Sequence, residues 1–121
     1  QVFDAHTFVS KLIRSAKAEI ILIDNFIDET VLLLLTKRKV GVDATIYCKH
    51  INAELSLDLE KHNAQYPPIQ LKVLTSAHDR FLIVDSKDIY HFGASLKDLG
   101  KKWCAVSKLQ IDSLEMLRRL Q

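Results

Sequence analysis

His78 and Arg80 stand two positions apart in HDRFLIVD, a run whose apolar residues suit a β-strand. Side chains on a strand alternate between faces, so His78, Arg80 and Leu82 share one face while Phe81, Ile83 and Asp85 share the other. An imidazole and a guanidinium so placed can meet the same phosphate. The guanidinium presents a planar fork of donors to phosphate oxygens. A neutral imidazole attacks phosphorus or passes a proton. Taken alone, the pair reads first as a sheet-edge histidine beside a solvated arginine.

Other groups carry weaker signals. Lys97, Lys101 and Lys102 with Trp103 form a basic stretch beside an aromatic ring, suited to a phosphate backbone or a stacked base. The same stretch also reads as a solvated loop, partly offset by Asp98, that ends in a core tryptophan. Asp24 and Asn25 close an early strand at its carboxyl end, where α/β sheets place ligands, although Asp24 would equally cap a turn. His91 either faces the same side as His78 or is a structural histidine. His6, His50 and His62 lack partners at metal-ligand spacing, so no metal and no cofactor is expected.

The elements that must position these groups follow from periodicity. Phe8, Val9, Leu12, Ile13 and Ala16 recur with helical spacing and predict a helix over about Asp4 to Lys17. EIILID, Glu19 to Asp24, is a continuous apolar run typical of a strand covered on both sides. Asp28 caps a second helix, with Ile27 and Leu32 as a hydrophobic staple, Lys37, Arg38 and Lys39 at its negative end, and Gly41 as the stop. Val42 to Lys49 reads as a strand, Asn52 to Gln65 as a helix ended by Pro67-Pro68, and Ile69 to Leu74 as a third strand. Two further strands, Asp79 to Asp85 and Asp88 to Gly93, flank the turn residues Ser86 and Lys87. A loop, Ala94 to Lys102, leads to a strand over Trp103 to Leu109. Asp112 and Glu115 form a capping box for a last helix. The order predicts one α/β domain over residues 1–121, with a mixed, mostly parallel sheet and helices on both faces.

Composition sets limits. At 121 residues, 48% hydrophobic, the chain can bury one real core, and 26% charged residues with 3 glycines and 2 prolines exclude a low-complexity class. A net charge of +2 permits an anionic ligand without announcing nucleic acid. The longest apolar run, Val31 to Leu35, is far short of the roughly 20 residues a membrane span needs. Cys48 and Cys104 sit in apolar runs and read as buried, reduced thiols. The opening Gln1-Val2-Phe3-Asp4 has neither an initiator methionine nor a signal-peptide pattern, so a piece of a longer cytoplasmic protein is expected.

His78-Asp79-Arg80, four residues, Asp85, then Gly93-Ala94-Ser95 resembles the HKD signature of the phospholipase D superfamily: His-x-Lys, four residues, Asp, six residues, Gly-Ser-x-Asn. Arg80 stands at the lysine position, seven residues separate Asp85 from Gly93, and Lys97 lies near the asparagine position. EIILIDNFID, EKHNAQYPPIQ and YHFGASLKDLGKKW also resemble the carboxyl-terminal phospholipase D-like domain of bacterial and phage proteins with a KilA-type or antirepressor-like DNA-binding region. The superfamily resemblance implies the following. The fold is a single phospholipase D half. His78 is the nucleophile that becomes phosphohistidine, Arg80 steadies the phosphate, and Asp85 supports the motif. Ser95 and Lys97 bind the same phosphate, without metal. The family reaction uses two motifs and this chain has one, so activity implies a C2 homodimer acting on a phosphodiester or nucleic acid. A degenerate motif implies weak or no phosphodiesterase or nuclease activity. The alternative is a non-catalytic dimerisation or interaction module of a DNA-binding regulator.

Overall fold

A computed structural model describes residues 5–76, 79–98 and 105–109, together with Glu115 and Arg118. Helix α1 (Ala5–Ser15) leads into β1 (Glu19–Ile23), α2 (Glu29–Leu34), β2 (Asp43–Cys48), α3 (Ala53–Gln65) and β3 (Gln70–Val73). Strands β4 (Arg80–Val84), β5 (Asp88–Phe92) and β6 (Val106–Leu109) follow. The six strands form one sheet in the order β3-β2-β1-β4-β5-β6.

Local sequence explains the boundaries. Asp28 caps α2 through its carboxylate, which accepts from the backbone N–H groups of Thr30 (3.0 Å) and Val31 (3.3 Å). After Leu34 the helix tightens into a 3₁₀ turn, Leu35–Lys37, and Gly41 reverses the chain at φ +85°. Arg38 is more than a dipole-compensating cation. Its guanidinium donates to the carbonyls of Leu35, Val42 and Pro67, tying the end of α2 to the start of β2 and the turn after α3. Asn52 caps α3 on Leu55 N–H (2.8 Å). Asn63 then accepts from and donates to Ile69, which closes the chain around Pro67-Pro68.

The sheet is mixed as expected, but its balance differs. Pairs β1–β2 and β2–β3 are parallel, while β1–β4, β4–β5 and β5–β6 are antiparallel, so antiparallel pairing predominates. Two crossover helices can generate only two parallel pairs. The chain then crosses from β3 to the far side of β1 and finishes as a meander.

The three described helices lie on one face of this sheet. Val9 and Ile13 of α1, Val31 and Leu32 of α2, and the half-buried Leu59 of α3 all join one core cluster with Ile20, Leu22, Ala44, Ile46, Leu82 and Phe92. Successive right-handed crossovers made in one direction deposit their helices on the same face. The opposite face carries Ile21, Ile23, Ile83 and Ile89, and among the described residues no helix segment packs on it. The last predicted helix lies outside the described residues apart from Glu115 and Arg118, both helical. Cys48 is buried and free, and Cys104 lies outside the described residues.

Candidate functional site

Antiparallel pairing of β4 with β1 sets Ile23 against Phe81, so the first residue of β4 meets the carboxyl end of β1. Asp24 follows Ile23 there and is 0% exposed. Its carboxylate accepts from the Phe26 N–H (3.0 Å), the Leu96 N–H (2.9 Å) and the Ser95 hydroxyl (2.8 and 2.9 Å). Burial is the largest influence on this carboxyl and raises it above its ordinary value. The Phe26, Leu96 and Ser95 hydrogen bonds and the positive charge of Arg80 pull the other way without reversing it. Asp24 therefore both caps the turn after β1 and latches the loop after β5.

Arg80, on the helix-bearing face with Leu82, donates from Nη2 to the Gly93 carbonyl at 2.7 Å. Its Nε–H is buried and has no hydrogen-bond partner among the described residues. Buried polar groups are nearly always paired, and charged donors most of all. A cleft of about 440 Å³ opens here, lined by Phe26, Arg80, Gly93, Ala94, Ser95, Lys97 and Asp98. Lys97 adds a second cation, partly offset by Asp98 at 3.2 Å.

Of the residues expected in one site, Arg80, Ser95 and Lys97 come together. Ser95 lies on the wall, but its single hydroxyl proton faces Asp24 and the Phe26 carbonyl (2.9 Å), so it holds the loop instead of donating to a ligand. His78, Lys101, Lys102 and Trp103 lie outside the described residues.

Asp85 stands at the other end of β4. It and Ser86 adopt φ values of 56° and 54°, and Lys87 N–H donates to Val84 O (3.1 Å), forming a type I′ hairpin turn. The Asp85 carboxylate accepts from the backbone N–H groups of Lys17, Ala18 (2.7 Å) and Glu19, stapling this turn to the start of β1. Asp85 thus supports the strand, not the cleft.

These bonds, led by Ala18, hold the Asp85 carboxyl below its ordinary value of 3.8. The stabilisation is fully present above 3.8 and is lost as pH falls through the depressed folded value. Asp85→Asn is expected to lower stability by about 1 kcal/mol at neutral pH. Urea unfolding from neutral to acid pH should show this deficit shrinking as the wild-type carboxylate protonates.

His91 takes the structural reading. It pairs with Phe81 on the face opposite Arg80, lies tilted against that ring at 5.2 Å, and is 3.3 Å from Asp79. Strand parity dictates this: Arg80 is registered with Phe92, leaving His91 on the other face. The sequence marks Asp24 as a turn cap or a pocket residue, but it does not single out Phe26. The signal for Phe26 is an aromatic placed just past the carboxyl end of a buried strand.

Among the described residues, no three His, Cys, Asp or Glu side chains form a cluster able to hold a metal ion. No helix there is long and apolar enough to cross a membrane.

No family model and no curated protein sequence matches this chain. Solved structures do. Nuc from Salmonella typhimurium, a phospholipase D family member, superposes with a TM-score of 0.69 at 20% identity, covering 94% of this chain and 82% of that one. NucT from Helicobacter pylori gives 0.64 at 16% identity, covering 95% and 82%. TrmBL2, an archaeal chromatin protein described as having a novel mode of DNA binding, gives 0.58 at 17% identity, covering 97% of this chain and 46% of that one.

Proposed function

We propose that this chain, whose fold is that of the phospholipase D superfamily, binds a phosphodiester or another phosphate group in the cleft at Arg80 and hydrolyses it slowly or not at all. The observation that carries this reading is Arg80, whose buried Nε–H has no hydrogen-bond partner among the described residues and whose side chain lines a cleft that also holds Lys97. One guanidinium edge is spent on Gly93 O, which fixes the plane of the fork, and the remaining donors suit phosphate oxygens.

In the catalytic version, His78, two positions before Arg80, attacks phosphorus. The P–O bond to the leaving alcohol breaks, and the same histidine of a second copy protonates that alcohol. Water then cleaves the phosphohistidine, giving up its proton to the second imidazole. Homodimerisation and hydrolysis are therefore one hypothesis. Arginine in the lysine position and the longer spacing to Gly93 support slow turnover, because misplacement by about 1 Å can lower a rate roughly 100-fold. We place the domain in the cytoplasm, a setting compatible with the free thiol of Cys48. A second reading, a non-catalytic module of a DNA-binding regulator, is favoured by the likeness to a chromatin protein described as binding DNA.

Incubation with bis(p-nitrophenyl) phosphate in excess chelator tests the enzyme. Slow release of nitrophenol is expected, together with a dimer by sedimentation. His78→Ala should reduce release to the buffer background while phosphate binding and the circular dichroism spectrum persist. Equal release from that variant would dismiss His78 as nucleophile.

A further inference from the structure

Phe26 is 57% exposed, and a scattered exposed aromatic carries no message by itself. Two things set this one apart. Its backbone is held at both polar groups, the N–H on Asp24 (3.0 Å) and the carbonyl against Ser95 (2.9 Å), so the ring projects from an anchored turn. It also lines the same cleft as Arg80 and Lys97. At about 440 Å³ that cleft falls within the range of organic-ligand sites and exceeds what a lone phosphate fills.

We infer that Phe26 is a specificity-determining residue, a stacking ledge for an unpaired nucleobase whose adjoining phosphate lies on Arg80, so that the cleft selects single-stranded nucleic acid. The inference rests on the phosphate-binding reading above and adds a substrate class to it. The requirement is a planar aromatic group beside an anion, and an unstacked nucleotide offers both. Stacking on an aromatic side chain tolerates any base, because every base has a π-face. Bases of a duplex are already stacked and paired, so engaging Phe26 would require unstacking one.

Binding of dimethyl phosphate, a thymidine dinucleotide, a short oligothymidylate and its duplex with oligoadenylate is measured on the whole chain. Wild type is expected to bind the dinucleotide about 10-fold tighter than dimethyl phosphate, and the single strand tighter than the duplex. Phe26→Leu should remove the dinucleotide advantage and leave dimethyl phosphate unchanged, and Phe26→Tyr should restore it. Undiminished dinucleotide affinity in Phe26→Leu would overturn the stacking role while leaving the phosphate site standing. So would a loss that coincides with a change of sedimentation mass, which would make the ring a subunit contact. Failure of wild type to bind any of the four would sink the underlying phosphate reading itself.

Discussion

Arg80→Ala is expected to weaken phosphate binding by about 100-fold, with little change in fold. A charge-assisted hydrogen bond contributes roughly 1.5–3 kcal/mol, and a guanidinium offers more than one. The loss should exceed that of Lys97→Ala, because Lys97 shares its charge with Asp98 whereas Arg80 Nε–H has no protein partner among the described residues. Arg80→Lys separates charge from geometry. A lysine keeps the cation but loses the fork and its anchor on Gly93 O, so it should recover only part of the affinity. Calorimetric titration with inorganic phosphate at low ionic strength reads all three. Equal affinity in wild type and Arg80→Ala would place any anion site elsewhere.

Asp24→Ala should be the most destabilising change near the cleft, by about 3 kcal/mol, lowering the melting temperature by roughly 10 °C. The substitution strands the Phe26 and Leu96 N–H groups in the interior and frees Ser95, so two loops lose their common anchor. Ser95→Ala removes only the hydroxyl and should be milder, about 1 kcal/mol.

The pH dependence has a definite sign. Burial raises the Asp24 carboxyl, so between the ordinary value of 3.8 and the raised folded value the folded chain holds more protons than the unfolded chain. Stability contributed by this group therefore falls as pH rises through that window, opposite to Asp85. Asp24→Asn, which carries no such proton, should have the flatter profile there. Wild-type stability that instead rises with pH relative to the variant would show that the hydrogen bonds outweigh burial.

Much of the architecture was legible because local rules and packing agree. Asp28, Asn52, Gly41 and Pro67-Pro68 each mark a boundary by chemistry the backbone must satisfy. The apolar run of β1 correctly implied burial on both sides, since Ile20 and Leu22 face one cluster and Ile21 and Ile23 the other. The balance of parallel and antiparallel pairs was not legible. Alternating elements state that crossovers occur but not on which side of β1 the chain will insert β4, and that choice rests on long-range pairing.

The site divided along the same line. Strand parity put Arg80 on the helix-bearing face, and the motif-like spacing brought Ser95 and Lys97 to the same cleft. What parity could not say is where hydroxyl protons and carboxylates find partners. Ser95 turned to Asp24, 71 positions away in the chain, and Asp85 turned to the backbone before β1. Both contacts arise from strand order, which no local pattern encodes. Phe26 escaped notice for a related reason: an exposed aromatic is meaningful only once its neighbours are known.

The side-chain Nε–H resonance of Arg80 in a ¹H–¹⁵N spectrum, followed through a phosphate titration, bears most directly on the account. A large, saturable shift is expected for that resonance, absent for Arg38, whose Nε–H already donates to Leu35 O. An Arg80 resonance that stays in place at saturating phosphate would contradict it.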